Sequence, residues 1–255
     1  MIYLVQGTPG AGKTYYACRR IDQALAAGKV VVTNVQLADD WADRVARGNP
    51  ICRWSRRARD RRARELRRQL LVIDDVDELL RVRVAGQGEG RWVAVLDEAA
   101  AFLNSRSWNQ KDRGDLVRWF QRHRHYGADV YLIAQLAHTI DKQVRELFEE
   151  SVRLKNLRNF KVMGVRVFPR NRFVAIHTWN TKDQHVLRRE SYGLSKRVAR
   201  LYNTHQLAAD LAADPDAVVL PRPREPRPPR ARRRRRGGHD LPAPAPMPPP
   251  VPPEG

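Results

Sequence analysis

Short apolar runs alternate along the chain with longer segments in which apolar residues recur at helical spacing. Such runs, when rich in β-branched residues, are typical of strands that are buried on both faces of a parallel sheet. Their alternation with helical segments predicts an α/β domain. The strand candidates are Met1–Gln6, Val30–Asn34, Leu70–Ile73, Trp92–Leu96, Asp129–Ala134 and Phe173–His177.

Helices are predicted between these strands from apolar periodicity and from stop signals. The first runs from Lys13 to about Ala27, where Gly28 would end it. With the strands before and after it, this helix completes a right-handed βαβ unit. The remaining predicted elements are helices over 51–69, Leu116–Tyr126 and Ile140–Val152, and a hairpin of Arg166–Phe168 with Phe173–His177 about the turn Pro169–Arg172.

The amino-acid composition changes sharply after Pro215, where proline and arginine dominate. Residues 221–236 alone hold nine arginines against Glu225, a net charge of +8. Such a segment buries too little apolar area to offset its ordering entropy, so we predict that it is disordered. We therefore expect an α/β domain over 1–180, an extension over 181–212 that packs on or near it, and a disordered basic, proline-rich tail over 213–255.

The whole 255-residue chain has a formal net charge of +20 and a pI near 11.0. This excess favours polyanionic partners, either nucleic acid or an anionic membrane surface, with a merely soluble charged surface as the alternative. Nine arginines crowd residues 51–69, with Trp54 among them. That segment is either a contact for a nucleic-acid backbone with one stacking aromatic or an exposed helix without a partner.

The features that report on cellular compartment indicate the cytoplasm. Cys18 and Cys52 form neither a metal-binding spacing nor a disulfide framework, which fits a reducing environment. The N-terminal strand does not read as a signal peptide, and no apolar run approaches the ~20 residues that cross a bilayer. A partner or the basic tail would then be needed to recruit the protein to the inner face of the cell membrane.

The first strand runs directly into the pattern G-x-x-x-x-G-K-T, a P-loop that precedes a helix. Its glycines let backbone N–H groups surround a triphosphate, and the helix N-terminus adds partial positive charge. Lys13 would reach the β- and γ-phosphates of ATP, and the Thr14 hydroxyl would hold Mg²⁺. The predicted nucleotide-binding residues of this loop are Gly7, Thr8, Pro9, Gly10, Ala11, Gly12, Lys13 and Thr14.

A P-loop also needs acidic residues at the end of a neighbouring strand. The run Val93–Leu96 ends in Asp97 and Glu98, so Asp97 would act on Mg²⁺ and Glu98 would be the base that polarises the attacking water. Glu directly after Asp is characteristic of the NTPase class that has an additional strand beside the P-loop strand. Leu70–Ile73, followed by Asp74 and Asp75, has a similar outline and is the competing assignment.

Two further catalytic roles are expected. Gln135 follows the strand Asp129–Ala134 and would sense the γ-phosphate, although a simple strand cap is the alternative. Arg124 lies in a basic segment after the preceding helix and is our candidate for an arginine finger that serves a neighbouring subunit. Its rivals are Arg106, Arg113, Arg122 and Arg145.

The order of these motifs resembles the zonula occludens toxin-like ATPase domain that is shared with filamentous-phage assembly proteins. The similar stretches include the P-loop, Leu96–Ala99, Arg122–Asp129 and Ile133–Gln135. The resemblance covers roughly residues 1–155 and continues more weakly to about 205. Arg122–Asp129 is its most specific part, because this basic stretch leads into an apolar strand that ends in Gln.

The resemblance implies a RecA-like P-loop ATPase with an additional strand, which uses ATP and Mg²⁺ and works as a homo-oligomeric ring. It also implies a motor that exports phage or plasmid DNA, single-stranded in the filamentous phages, during virion assembly at the inner membrane. Family members usually carry a spanning helix after this domain, whereas this chain has its basic tail there. The alternative is an ATP-switched nucleic-acid-binding or membrane-surface protein without motor activity.

Overall fold

The computed structural model describes residues 1–85, 88–103, 110–159, 161–162, 165–166, 171–180 and 185–202. All of them lie in one unit, Met1–Leu207. The tail predicted over 213–255 lies outside the described residues. The strands are β1 (Ile2–Gln6), β2 (Val30–Thr33), β3 (Leu70–Val72), β4 (Trp92–Leu96), β5 (Ala128–Ala134), β6 (Glu150–Asn156), β7 (Lys161–Val162), β8 (Val165–Arg166), β9 (Arg172–Trp179) and β10 (Val186–Gly193).

Helices follow most of these strands in the chain. The described α-helices are α1 (Lys13–Ala26), α2 (Trp41–Ala46), α3 (Pro50–Trp54), α4 (Arg56–Gln69), α5 (Val76–Arg81), α6 (Ala99–Phe102), α7 (Gln110–Arg122), α8 (Lys142–Glu146) and α9 (Lys196–Ala199). No helix among the described residues has both the length and the apolar character needed to cross a bilayer.

Eight strands form one sheet in the order β10-β9-β6-β1-β5-β4-β2-β3. The six strands from β6 to β3 in this order pair in parallel, and β9 and β10 add an antiparallel hairpin at one side. β5 separates β1 from β4, so the predicted RecA-like sheet with an additional strand is confirmed. The carboxyl ends of β1, β4 and β5 meet at one edge, which is where ligands bind in open α/β sheets.

Apolar cores lie on both faces of the sheet. On one face α1 buries Ile21 and Leu25, and on the other α7 buries Phe120. Successive residues of β4 belong to different cores, with Val95 on the α1 side and Leu96 on the α7 side. This burial on both faces explains why β1, β2 and β4 are nearly continuous apolar runs without polar alternation.

The predicted helix over Ile140–Val152 is wrong in its second half. Asp141 accepts a hydrogen bond from the backbone N–H of Gln143 and caps α8, but the helix ends at Glu146. The chain then forms β6, in which Val152 pairs with Val5 of β1. The spacing of apolar residues suits a helix through this segment, yet tertiary pairing with β1 overrides that local preference.

Two other local predictions differ from the structure. α7 begins at Gln110 rather than Leu116 and ends at Arg122, ahead of Gly127, which has φ 69°. The predicted hairpin, in which Arg166–Phe168 would pair with β9, is also wrong among the described residues. β9 pairs with β6 and β10, while β8 pairs with β7, and residues 167–170 lie outside the described part of the chain.

Residues after the predicted domain boundary contribute directly to the sheet and its covering. β10 is the edge strand beside β9, and α9 follows it. The Tyr15 hydroxyl accepts a hydrogen bond from Ser195 N–H, and Arg197 pairs with the buried Asp22 at 2.6 Å. These two contacts attach the start of α9 to α1, the helix that follows the P-loop.

Candidate functional site

The loop between β1 and α1 has the backbone that a phosphate cradle requires. Gly10 and Gly12 have φ values of 77° and 90°, which residues with a Cβ rarely adopt. A Cβ on Gly12 would lie 2.5 Å from the Phe173 ring, so that position also excludes a side chain on steric grounds. The N–H of Ala11 donates to Thr8 O at 3.0 Å and closes the turn.

The N-terminus of α1 is free of its own anionic groups. Gly12 caps the helix without a side-chain hydrogen bond, and the first turn contains no acidic residue. Its N–H groups and partial positive charge therefore face the loop. The Lys13 ammonium donates to Gly7 O at 3.0 Å and to Thr8 O at 3.4 Å, so the cation lies over the same loop. These residues fit a nucleoside triphosphate.

The acidic pair at the end of β4 is fixed by Asn34, which follows β2. Asn34 Nδ2 donates to Asp97 O, and Asn34 Oδ1 accepts from Asp97 N–H, both at 2.8 Å. Glu98 N–H donates to Asp97 Oδ1 at 2.9 Å. Glu98 itself has φ 49° and ψ 40°, the left-handed conformation that is strained for a residue with a side chain.

These elements enclose a cleft of about 300 Å³ that Lys13, Asp97, Glu98 and Gln135 all line. The structure therefore brings together the four residues that the sequence predicts to bind phosphate, to hold Mg²⁺, to act as the base and to sense the γ-phosphate. Thr14 follows Lys13 in the first turn of α1, so its hydroxyl and the Asp97 carboxylate are the oxygen donors that would hold Mg²⁺. Burial raises the pKa of Cys18, one turn further along α1, to about 12, so this thiol stays protonated.

The competing acidic pair lies elsewhere. β3, which precedes Asp74 and Asp75, is the edge strand of the sheet, and β2, β4 and β5 separate it from β1. Asp75 Oδ1 accepts from Glu78 N–H at 2.8 Å, so this carboxylate caps α5. The geometry therefore favours Asp97 and Glu98.

A second cleft, of about 480 Å³, opens on the other side of the P-loop, and Gln135 lines both clefts. β6 supplies Arg153 and Lys155 to this second cleft, beside Gly7 and Thr8. Both cations are exposed because alternate residues of β6 face away from the core. Neither residue is predicted from the sequence as part of the site, because the preceding segment is predicted to be a helix. The alternation of Val152 and Leu154 with charged residues was the available signal.

Arg124 does not belong to the cleft of its own chain. It precedes β5, at the amino ends of the parallel strands, and pairs with Glu149 at 2.5 Å. Its role toward a neighbouring subunit stays a prediction. Among the rival arginines, Arg122 ends α7 near the same edge and Arg145 lies in α8. Arg106 and the side chain of Arg113 lie outside the described part of the structure.

Fold and site together define a P-loop ATPase domain of the RecA-like type. The family model described as "Zonular occludens toxin (Zot)" matches residues 1–204, and the chain belongs to this family. One solved structure, the ATPase domain of another protein, is similar over 79% of this chain and 84% of its own, with a TM-score of 0.50 and 11% identity. That likeness concerns the fold alone.

Two phage proteins are similar in sequence over 151 residues. The "Gene 1 protein" of Enterobacteria phage I2-2 is 34% identical, and that of Salmonella phage IKe is 32% identical. In both cases the match covers 59% of this chain and 39% of the relative. The chain thus spans about two fifths of the length of these relatives.

Proposed function

We propose that this protein is an ATP-hydrolysing motor that exports phage or plasmid DNA during virion assembly. The observation that carries this proposal is the convergence of Lys13, Asp97, Glu98 and Gln135 on one cleft beside the P-loop. A protein that only binds nucleotide needs no carboxylate in the position of Glu98, whereas hydrolysis needs a base that orients and deprotonates water.

The residues divide the chemistry of ATP hydrolysis among them. Lys13 exchanges its loop carbonyl partners for the phosphate oxygens, and the N–H groups of Gly10–Lys13 bind the remaining charge. Glu98 accepts the proton of the water that attacks the γ-phosphate, while the Gln135 amide holds that water in line. Thr14 and Asp97 would hold Mg²⁺, which would neutralise phosphate charge when bound.

Coupling to movement depends on a neighbouring copy of the chain. In a ring, Arg124 of one subunit would approach the γ-phosphate of the next and stabilise the charge that develops there. Hydrolysis would release that contact and shift the subunits relative to each other, so that motion is the product. The phage origin of the similar Gene 1 proteins supports phage DNA as cargo. We place the motor in the cytoplasm at the inner face of the membrane.

The test is ATP turnover by the purified chain, measured with and without single-stranded DNA. We expect magnesium-dependent hydrolysis that DNA accelerates, and Lys13→Ala should abolish both nucleotide binding and turnover. Lys29→Ala is the matched control, because Lys29 lies just beyond the opposite end of α1. Tight ATP binding without turnover would contradict the proposed motor function and would favour an ATP-switched binding protein instead.

A further inference from the structure

The arginine-rich segment forms a surface that the ATPase site does not use. Asn49 caps α3 by accepting from Ile51 N–H, and Ser55 caps α4 by accepting from Ala58 N–H. Ser55 has extended backbone angles, so the two helices meet at a defined corner. α4 packs on the protein through Ala63 and Leu66. Because both helices are capped, the exposed side chains project from a fixed scaffold.

Most of the arginines on this scaffold have no partner within the described part of the chain. Arg62 pairs with Glu65, and Arg67 pairs with Asp43. Among the described residues, no hydrogen bond, ion pair or ring contact involves the other exposed guanidinium groups. They belong to Arg53, Arg56, Arg57, Arg61, Arg64 and Arg68.

Trp54 lies at the corner between the helices with 90% of its surface exposed, beside Ile51 at 70%. An indole that protrudes among arginines meets the two requirements of single-strand binding, a flat ring on which a base stacks and cations that contact the backbone. Arginine also presents a planar fork that matches phosphate oxygens. In a duplex the bases are already stacked, so the indole favours a single strand.

A membrane surface fits this region less well. Interfacial helices bury a broad apolar face in the lipid, whereas α4 turns its apolar residues Ala63 and Leu66 toward the protein. Its exposed residues are charged over the full length of the helix. We propose that the surface of α3 and α4, with Trp54 at its corner, binds single-stranded nucleic acid. This inference rests on the proposed motor and names the part of the molecule that holds the cargo.

The test measures binding of a labelled oligothymidine to the full chain by fluorescence anisotropy at several salt concentrations. The variant Arg56→Gln/Arg57→Gln/Arg61→Gln should reduce the salt slope by about two, since each lost single-strand phosphate contact removes about 0.7. The control Arg81→Gln/Arg118→Gln/Lys142→Gln removes the same charge from exposed sites on other helices and should leave the slope unchanged. Equal slopes for both triple variants would overturn the proposal.

Trp54→Ala should weaken oligothymidine binding about tenfold while affecting a duplex of the same length much less. Trp179→Ala, at the other exposed tryptophan of the described residues, should change neither. Loss of binding to anionic vesicles with unchanged DNA affinity would assign the surface to lipid instead.

Basal ATP hydrolysis without DNA separates this inference from the proposed function. The Trp54 and triple-arginine variants should retain it while losing stimulation by DNA. If the unmodified chain binds the oligothymidine through Trp54 but hydrolyses no ATP, the proposed motor function is wrong, whereas the proposed binding surface is supported.

Discussion

At the residue scale, the proposed catalytic base Glu98 has an unfavourable backbone conformation. A left-handed conformation costs a residue with a side chain about 1–2 kcal/mol, and such strain concentrates at functional sites. Glu98→Gln retains the conformation but removes the base, so we expect normal ATP binding and loss of turnover. Calorimetry and a phosphate-release assay check the two parts.

Two controls make this prediction specific. Glu98→Gly removes both the base and the strain, so it should be inactive yet unfold no more readily than the original chain. Asp75→Asn alters the competing acidic pair and should leave turnover intact. If Asp75→Asn abolished hydrolysis while Glu98→Gln did not, the assignment of the catalytic base would be wrong.

We expect Asn34, which the motif description alone does not identify, to be a positioning residue for Asp97. Its amide makes two hydrogen bonds to the backbone of Asp97, so Asn34→Ala leaves that backbone unsupported. We expect a loss of about 2 kcal/mol in unfolding free energy and a lower kcat for ATP. Asn180→Ala removes the hydrogen bond that the Asn180 side-chain amide donates to Phe148 O at the other end of the sheet, and it should destabilise the fold without affecting kcat.

At the scale of elements, the position of β6 beside β1 brings cations to the P-loop. Arg153→Ala or Lys155→Ala should weaken ATP binding about tenfold, because a hydrogen bond to a charged group contributes about 1.5–3 kcal/mol. Arg189→Ala, on the edge strand β10, is the matched control. Equal ATP affinity for all three variants would exclude β6 from the nucleotide site.

The contact between α1 and α9 predicts how stability depends on pH. Burial raises the pKa of the Asp22 carboxyl, while Arg197 and Arg19 oppose that shift. With its pKa above the unfolded value of about 3.9, Asp22 contributes most stability when protonated and less as pH rises through its folded pKa.

Arg197→Ala removes the cation that compensates the ionised carboxylate. We therefore expect the free energy of unfolding to fall by about 2 kcal/mol near neutral pH. This value is smaller than for a fully buried pair because Arg197 is partly exposed. The loss should be smaller near pH ~4, where the carboxyl is protonated more often. Urea unfolding at both pH values measures the difference. Lys142→Ala breaks an exposed pair with Glu146 and should cost under about 1 kcal/mol at either pH.

Across the whole molecule, the sequence predicted the features that depend on residues close together in the chain, such as the P-loop and the acidic strand end. Spaced glycines, a lysine at the start of a helix and carboxylates after an apolar strand predict the nucleotide site wherever the strands lie in the sheet. The order of strands is set by long-range pairing, so the contribution of β6 to the site depended on its contact with β1. The same reason explains why β10, which lies far from β1 along the chain, was not predicted as part of the sheet.

The position of Arg124 predicts how subunits cooperate. Arg124 and the P-loop lie at opposite ends of parallel strands, and β5 between these ends spans seven residues, or about 23 Å. An arginine side chain cannot cover that distance within one chain, so a catalytic role requires a neighbouring subunit. An assembly made only of Arg124→Ala subunits should then hydrolyse no ATP, although each P-loop still binds it. Glu149→Gln breaks the ion pair but retains the arginine, so it should remain active.

Mixing two inactive variants distinguishes action between subunits from local damage. Lys13→Ala subunits have a defective P-loop but an intact Arg124. Arg124→Ala subunits have an intact P-loop but lack the arginine. In mixed assemblies some intact P-loops lie beside an intact Arg124, so ATP hydrolysis should reappear at a fraction of the original rate. If light scattering shows that mixed assemblies form and no activity returns, Arg124 is not the finger and Arg122 or Arg145 becomes the next candidate. Recovery of activity would instead establish that each catalytic site is completed by two copies of the chain.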